Sequence, residues 1–143
     1  MNPVIFTCYN HKMERKMIDL QRQVVNKYRG NIPYEEMVYT FDMEVLDHGD
    51  ILNRALTHLF YHKMYDCVLI IDIDAIPLST RALEITFDLA YQGHVVGNIQ
   101  RSNHCQNDQH VYVGSSYNCF TKDTYEFCGN PNLAYTSKYD TLE

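Results

Sequence analysis

Residues 68–77 (VLIIDIDAIP) constrain the fold of this chain more than any other segment. The four apolar residues at its start predict a buried strand, and that strand runs directly into two carboxylates, Asp72 and Asp74. Open α/β sheets bind their ligands beyond the carboxyl ends of the strands. A stable core does not require this pair, so the segment indicates a divalent cation that holds an anionic ligand, such as a phosphate.

Strand-like and helix-like patterns alternate along the rest of the chain. Apolar runs predict strands at 4–9, 37–41, 68–71, 95–99 and 111–116. Apolar residues at helical spacing predict a helix with the stripe Met13, Met17, Leu20, Val24 and Tyr28, a second from about Asp50 to Met64, and a third from a Ser79 cap to Gly93. This order predicts an α/β fold over a single domain, residues 1–143, with a mostly parallel sheet and helices on both faces.

Charge and cysteine content narrow the class of protein. The formal net charge is −6, and the only cluster of cations lies at residues 12–16, which argues against nucleic acid as a partner. The five cysteines are widely spread and never form a CxxC pair, so they fit neither a disulfide framework nor a zinc site. Reduced thiols predict a cytoplasmic protein. No apolar segment approaches the ~20 residues of a membrane span.

Other candidate sites are weaker. His58 and His62 lie one helical turn apart, but Leu59 stands where a zinc-protease helix carries its glutamate, so positions on the helix surface are favoured over metal ligands. The first strand is followed by residues 7–11 (TCYNH) rather than by a glycine-rich phosphate loop. The polar segment 100–110 predicts a loop, which is either a solvated connector or a lid over a ligand.

Together these features resemble the GT-A fold of nucleotide-sugar glycosyltransferases, a Rossmann-like domain whose hallmark is an apolar strand that leads into an Asp-x-Asp motif. The resemblance covers most of the chain. It rests on Thr7, Tyr9 and Asn10 after the first strand, Asp42 after the second, residues 49–54 at the opening of the next helix, residues 70–78 (IIDIDAIPL) and residues 112–116 (YVGSS). It implies a metal-dependent transferase with a nucleotide-diphosphate sugar as donor, UDP-glucose or a similar UDP-sugar being favoured.

The resemblance implies that Asp72 and Asp74 bind Mn²⁺ or Mg²⁺. Asp74 would make the direct metal contact, and Asp72 would be shared between the metal and the ribose. Carboxylate oxygens suit such hard cations, which neutralise the charge that grows on a departing diphosphate. In an extended strand the two side chains would point to the same side, about 6.6 Å apart along the chain.

The resemblance also implies contacts along the rest of the donor. The predicted contact residues are Thr7 and Tyr9 at the nucleobase, Asp42 as the acceptor of a base N–H, which favours uracil, Arg54 at the diphosphate, and Asn10, Ile73, Gly114 and Ser115 elsewhere on the donor. The residues themselves leave alternatives open. Thr7, Tyr9 and Asp42 fit ordinary strand ends equally well, and Arg54 fits an exposed helix position.

The chain departs from the family pattern after the fifth strand. The resemblance calls for a third metal ligand, often histidine, and in inverting members for a carboxylate base, yet the last histidine is His110. Asp108 and Asp140 are the candidate catalytic bases, and the acceptor is left open.

Two alternatives to a glycosyltransferase remain. One is a non-catalytic domain that binds a nucleotide sugar or a metal. The other is a phosphohydrolase of the haloacid-dehalogenase type, in which the first aspartate of such a pair is the nucleophile. In that family the motif normally ends the first strand, whereas two βα units precede Asp72 here.

Overall fold

The computed structural model describes residues 1–40, 48–101 and 111–134. In these ranges the elements are β1 (Pro3–Asn10), α1 (Arg15–Tyr28), β2 (Tyr34–Tyr39), α2 (His48–Thr57), β3 (Cys67–Ile71), α3 (Thr80–Tyr91), β4 (Val96–Arg101), β5 (Val111–Thr121) and α4 (Lys122–Phe127). A π-helical turn, His58–His62, directly follows α2. The predicted α/β class is confirmed.

The five strands form one sheet in the order β2-β1-β3-β5-β4. β1 pairs in parallel with β2 and β3, whereas β5 is antiparallel to both β3 and β4. The sheet is therefore mixed, and the prediction of a mostly parallel sheet needs correction. Only residues 102–110 separate β4 from β5. That connection is shorter than the dozen or so residues of a parallel crossover, so β5 has to reverse direction.

Apolar cores cover both faces of the sheet, as predicted. On one face, Phe6 and Val68 pack with Leu56 of α2 and with the π-helical turn. On the other, Leu69 packs with Val25 of α1 and with α3. Because side chains alternate along a strand, β1 and β3 supply both cores and are buried on each side.

Helix α1 buries a different stripe from the one predicted. Ile18, Gln21 and Val25 are buried, while Leu20, which the apolar pattern placed in the core, is 51% exposed. The pattern excluded Gln21 because it is polar. Its side chain nevertheless lies inside, where its amide reaches backbone carbonyls, so the helix presents a face shifted by one residue.

The predicted ends of α3, a Ser79 cap and a Gly93 terminator, are both confirmed. The Ser79 hydroxyl accepts a hydrogen bond from the Ala82 N–H at 3.1 Å, which caps the helix. Gly93 follows the helix with φ +90°, a conformation that favours glycine. His58 and His62 are exposed in the π-helical turn, as expected for helix-surface residues. None of the helices described has the length and apolar character that crossing a membrane requires.

Candidate functional site

The two aspartates lie in a turn that follows β3, not in the strand itself. β3 ends at Ile71, and the Ala75 N–H donates to the Asp72 carbonyl at 2.9 Å. The expectation of two side chains on an extended strand is therefore wrong, because the chain bends within residues 72–75. The Asp72 N–H donates to the Ser116 carbonyl at 3.1 Å, which ties this turn to β5.

A cavity of about 260 Å³ opens beside the turn. It lies where the carboxyl ends of β1, β2 and β3 meet the start of α2, the edge at which α/β sheets bind ligands. Its lining residues are Cys8, Tyr9, Asn10, Met13, Tyr39, His48, Asp72, Ile73 and Asp74. Five residues predicted from the sequence thus come together: Tyr9, Asn10, Asp72, Ile73 and Asp74.

Asp72 has an unfavourable electrostatic environment for a carboxylate. Burial raises its pKa, the His48 imidazole acts in the opposite direction, and the charge of Asp74 raises the pKa further, so the net shift is upward. The Nε2 atom of His48 lies 3.6 Å from Asp72 Oδ1, too far for a hydrogen bond. The ionised form of Asp72 therefore gains from a cation between the two carboxylates.

Two buried nitrogen atoms on the cavity-lining residues lack hydrogen-bond partners. Asn10 is 7% exposed; its Oδ1 accepts from the Lys12 N–H at 2.8 Å, while its Nδ2 is unpartnered. The Nε2 atom of His48 is also buried without a hydrogen bond. Buried polar groups are almost always paired in native proteins. A ligand with oxygen acceptors would supply a partner for the Asn10 amide.

Cys8 orients the His48 ring. Its Sγ atom lies 4.0 Å from His48 Nδ1. Burial, with a smaller contribution from the Asp72 charge, raises the pKa of Cys8 to about 12, so the residue is a thiol at neutral pH. A thiol that donates to Nδ1 leaves the ring proton on Nε2, the atom nearer Asp72. Cys8 is thus suited to positioning and not to nucleophilic attack.

The Tyr9 hydroxyl belongs to a polar network at the edge of the cavity. It donates to Glu36 at 3.2 Å and accepts from Arg22 at 3.2 Å, and Arg22 also forms a two-point ion pair with Glu36. Burial raises the pKa of Glu36, but the hydrogen bonds from Arg22, Tyr34 and Tyr9 and the charge of Arg22 outweigh it and hold that pKa below its ordinary range. The network joins β1, α1 and β2. The Tyr9 hydroxyl makes both of these hydrogen bonds within the protein.

Four residues predicted to contact the donor do not line the cavity. Thr7 is fully buried within β1, and Arg54 is exposed on α2. Gly114 and Ser115 lie in β5, where a Cβ atom on Gly114 would be 2.3 Å from the side chain of Gln100. The small residue at 114 therefore makes room for a neighbouring strand's side chain.

Some sequence predictions fall outside the described residues. These are Asp42, both candidate bases, Asp108 and Asp140, and most of the predicted loop. The first two residues of that loop, Gln100 and Arg101, belong to β4.

Four lining residues are not predicted from the sequence: Cys8, Met13, Tyr39 and His48. The sequence around each of them contains no motif of a binding site. Their positions in the fold indicate the site instead: Cys8 is near the end of β1, Met13 follows β1, Tyr39 ends β2 and His48 begins α2, all at the carboxyl edge of the parallel strands.

The donor atoms fit a hard divalent cation whose coordination is completed by a ligand. Over residues 1–40, 48–101 and 111–134, no three His, Cys, Asp or Glu side chains are grouped so as to hold a metal ion. Mg²⁺ sites often use one or two carboxylates together with water and substrate phosphates. Asp72 and Asp74 match that donor set.

Comparisons with known proteins do not place the chain in a family. No family model, no curated protein and no solved structure matches it. The residues of the cavity and their geometry are therefore the basis on which a function can be proposed.

Proposed function

We propose that the chain is a metal-dependent glycosyltransferase domain that binds the nucleoside diphosphate of a nucleotide sugar, with UDP-sugars as the first donors to test. The principal support is the cavity that Asp72 and Asp74 share with the unpartnered amide nitrogen of Asn10. It combines oxygen ligands for a cation with a hydrogen-bond donor for an anion. The resemblance of residues 70–78 to the Asp-x-Asp segment of GT-A enzymes suggests which anion to test.

Each of these residues has a distinct task in the proposed reaction. Asp72 and Asp74 hold Mn²⁺ or Mg²⁺, which, when bound, offsets the negative charge that develops on the diphosphate. Asn10 donates from Nδ2 to an oxygen of the nucleotide. The His48 imidazole, with its Nε2 atom 3.6 Å from Asp72 Oδ1, favours the ionised form of that carboxylate.

The burial of Asp72 favours this role, while Asp74 is exposed at the mouth of the site. Asp72 is more than half buried, and attraction between a carboxylate and a cation increases as water is excluded. Asp42 as a donor contact and Asp108 and Asp140 as bases remain predictions outside the described residues. Arg54, Thr7, Gly114 and Ser115 remain predicted donor contacts that do not line this cavity. Transfer to an acceptor and transfer to water are both compatible with a donor site of this kind.

A thermal-shift panel tests donor binding. UDP, GDP, UDP-glucose and UDP-galactose are added with and without Mn²⁺. A ligand at 100 times its dissociation constant stabilises a folded protein by about 2.7 kcal/mol, which raises the melting temperature by several degrees. We expect such a rise for a uridine nucleotide only when Mn²⁺ is present. No rise with any nucleotide would contradict the proposal.

Two variants make the panel specific to the motif. Asp74→Ala removes the proposed metal ligand and should abolish the Mn²⁺-dependent rise. Asp88→Asn alters an exposed aspartate of α3 and should retain it. Release of glucose from UDP-glucose then separates an enzyme from a binding domain, and release of phosphate from simple phosphomonoesters would instead support a phosphohydrolase.

A further inference from the structure

Gln21 is a buried polar side chain that connects α1 to the aspartate turn. It is 2% exposed. Its Nε2 atom donates to the Asp72 carbonyl at 2.5 Å and to the Ala75 carbonyl at 3.0 Å. Its Oε1 atom accepts from the Tyr34 hydroxyl at 3.1 Å. All three contacts are with residues distant in sequence, so the amide links three separate segments.

The two carbonyls are the first and last of the turn. Asp72 O also accepts the Ala75 N–H that closes the turn, so one backbone oxygen receives two donors. Fixing the carbonyls of residues 72 and 75 restricts the peptides between them, which carry the side chains of Ile73 and Asp74. Because only the amide NH₂ group can donate to carbonyls, these two acceptors fix which end of Gln21 faces the turn, and the Tyr34 hydroxyl contacts the other end.

We infer that Gln21 is a positioning residue of the metal site, which holds the turn so that Asp72 and Asp74 present their carboxylates to one cation. The inference rests on the proposed function. It extends that function to a residue outside the cavity, because Gln21 acts through the backbone of the turn and not through contact with the ligand.

A space-filling role would not require this residue type. The neighbouring buried positions of α1, Ile18 and Val25, are apolar, and a third apolar residue would complete the stripe. An apolar side chain at position 21 would leave the Ala75 carbonyl without this donor and the Asp72 carbonyl with the Ala75 N–H alone. A carbonyl that loses its donor is costly when buried. Gln21 therefore stabilises the turn through its hydrogen bonds, whereas Ile18 and Val25 stabilise the apolar core.

The test compares Gln21→Met, which keeps length and removes both donors, with Thr86→Val. Thr86 is a suitable control because it is also buried and its hydroxyl bonds to the Tyr117 hydroxyl and not to the carbonyls of the turn. Two quantities are measured: hydrogen exchange of the Ala75 amide relative to that of Ile70 by NMR, and Mn²⁺ affinity in the presence of UDP by electron paramagnetic resonance.

In Gln21→Met we expect exchange at Ala75 to accelerate at least tenfold and Mn²⁺ affinity to fall at least tenfold, while Thr86→Val changes both less than twofold. Tyr34→Phe keeps both amide donors of Gln21, removes the hydroxyl that contacts Gln21 Oε1 and Glu36, and should give a two- to fivefold effect on both quantities. If Gln21→Met does not fold, Tyr34→Phe tests the positioning role of Gln21 in its place.

The outcomes separate the two claims. If the unmodified chain binds no Mn²⁺ with any nucleotide, the proposed function and the metal-positioning role both fail. If it binds Mn²⁺ and the Gln21 and Tyr34 variants match it in affinity and in Ala75 exchange, only the role of Gln21 is overturned. An equal loss of affinity in Thr86→Val would also overturn it, since the effect would then follow general destabilisation.

Discussion

Asp66 and Asp72 flank the same strand, β3, yet their surroundings are opposite in character. Asp66 accepts hydrogen bonds from the Asn2 N–H, at 2.8 Å, and from the Tyr91 hydroxyl. Burial raises the pKa of Asp66, but these bonds outweigh it and hold the pKa below its ordinary range. The pKa of Asp72 is raised, and the nearest donor on His48 is beyond bonding distance.

The contrast distinguishes a carboxylate that stabilises the protein from one that the protein leaves for a ligand. At the amino end of β3 the ionised form has its partners within the fold. At the carboxyl end it has a like charge and a cavity instead. The same residue type on the same strand is thus structural at one end and available for binding at the other.

The largest expected effect concerns Mn²⁺ binding. Asp72→Asn should weaken Mn²⁺ binding in the presence of UDP at least a hundredfold, or about 2.7 kcal/mol, because a neutral amide replaces a charged ligand. Asp66→Asn should leave that affinity within twofold. Titration calorimetry measures both. A large loss in Asp66→Asn would erase the proposed distinction between the two ends of β3.

The order reverses for the free energy of unfolding in the absence of metal. Asp66→Asn should lower it by about 1–2 kcal/mol, because two charge-assisted hydrogen bonds weaken. Asp72→Asn should leave it unchanged or raise it slightly, since the ionised form of Asp72 is disfavoured in the fold. Urea denaturation at pH 7 gives both values, and a larger loss in Asp72→Asn would contradict the comparison.

The stabilising effect of Asp66 should depend on pH. A lowered pKa in the folded state means that the ionised form is favoured by folding, so the contribution is complete above the unfolded pKa and is lost as pH falls through the folded one. The difference between the unmodified chain and Asp66→Asn should be constant from pH 7 to about pH 5 and shrink below about pH 4. If this difference in the free energy of unfolding instead grew as the pH fell, the pKa of Asp66 would be raised by folding, which would contradict the comparison.

The smallest effect is expected for Tyr91→Phe, which removes one donor to Asp66 and retains the ring. The free energy of unfolding should fall by about 0.5–1 kcal/mol. In Asp66→Asn the same change should cost less, because its charged partner is gone. A double-mutant cycle measures this coupling, and full additivity would show that the two residues act independently.

The sequence predicted those features that are encoded locally. Ser79 and Gly93 marked the ends of α3, and the apolar run before Asp72 marked β3. The direction of β5 follows from the short link to β4, a constraint of chain length that the alternation of elements does not express. The predicted buried face of α1 is wrong by one residue because a pattern of apolar residues does not include Gln21. The hydrogen-bond partners of Gln21 lie in residues 72–75 and in Tyr34.

In the candidate site, too, only the locally encoded features were predictable from the sequence. Asn10 ends β1, and Asp72 and Asp74 lie in the turn that follows β3, so their convergence follows from the parallel pairing of these two strands. His48 and Tyr39 reach the cavity only through the positions of whole elements, and the bend after Ile71 depends on hydrogen bonds to Gln21 and Ser116 that no local pattern records.

The position of β1 in the sheet, between β2 and β3, has a consequence for folding kinetics. β1 pairs with β3 in a register that joins Pro3 to Cys67, and β3 pairs with β5 in one that joins Cys67 to Thr121. Contacts between such distant residues close large loops, which slows folding relative to proteins built from local contacts. During synthesis, β1 leaves the ribosome long before its partner β3 exists. Asn10 therefore meets the aspartate turn only when this non-local pairing forms, so the binding site is assembled in the slow, cooperative part of folding.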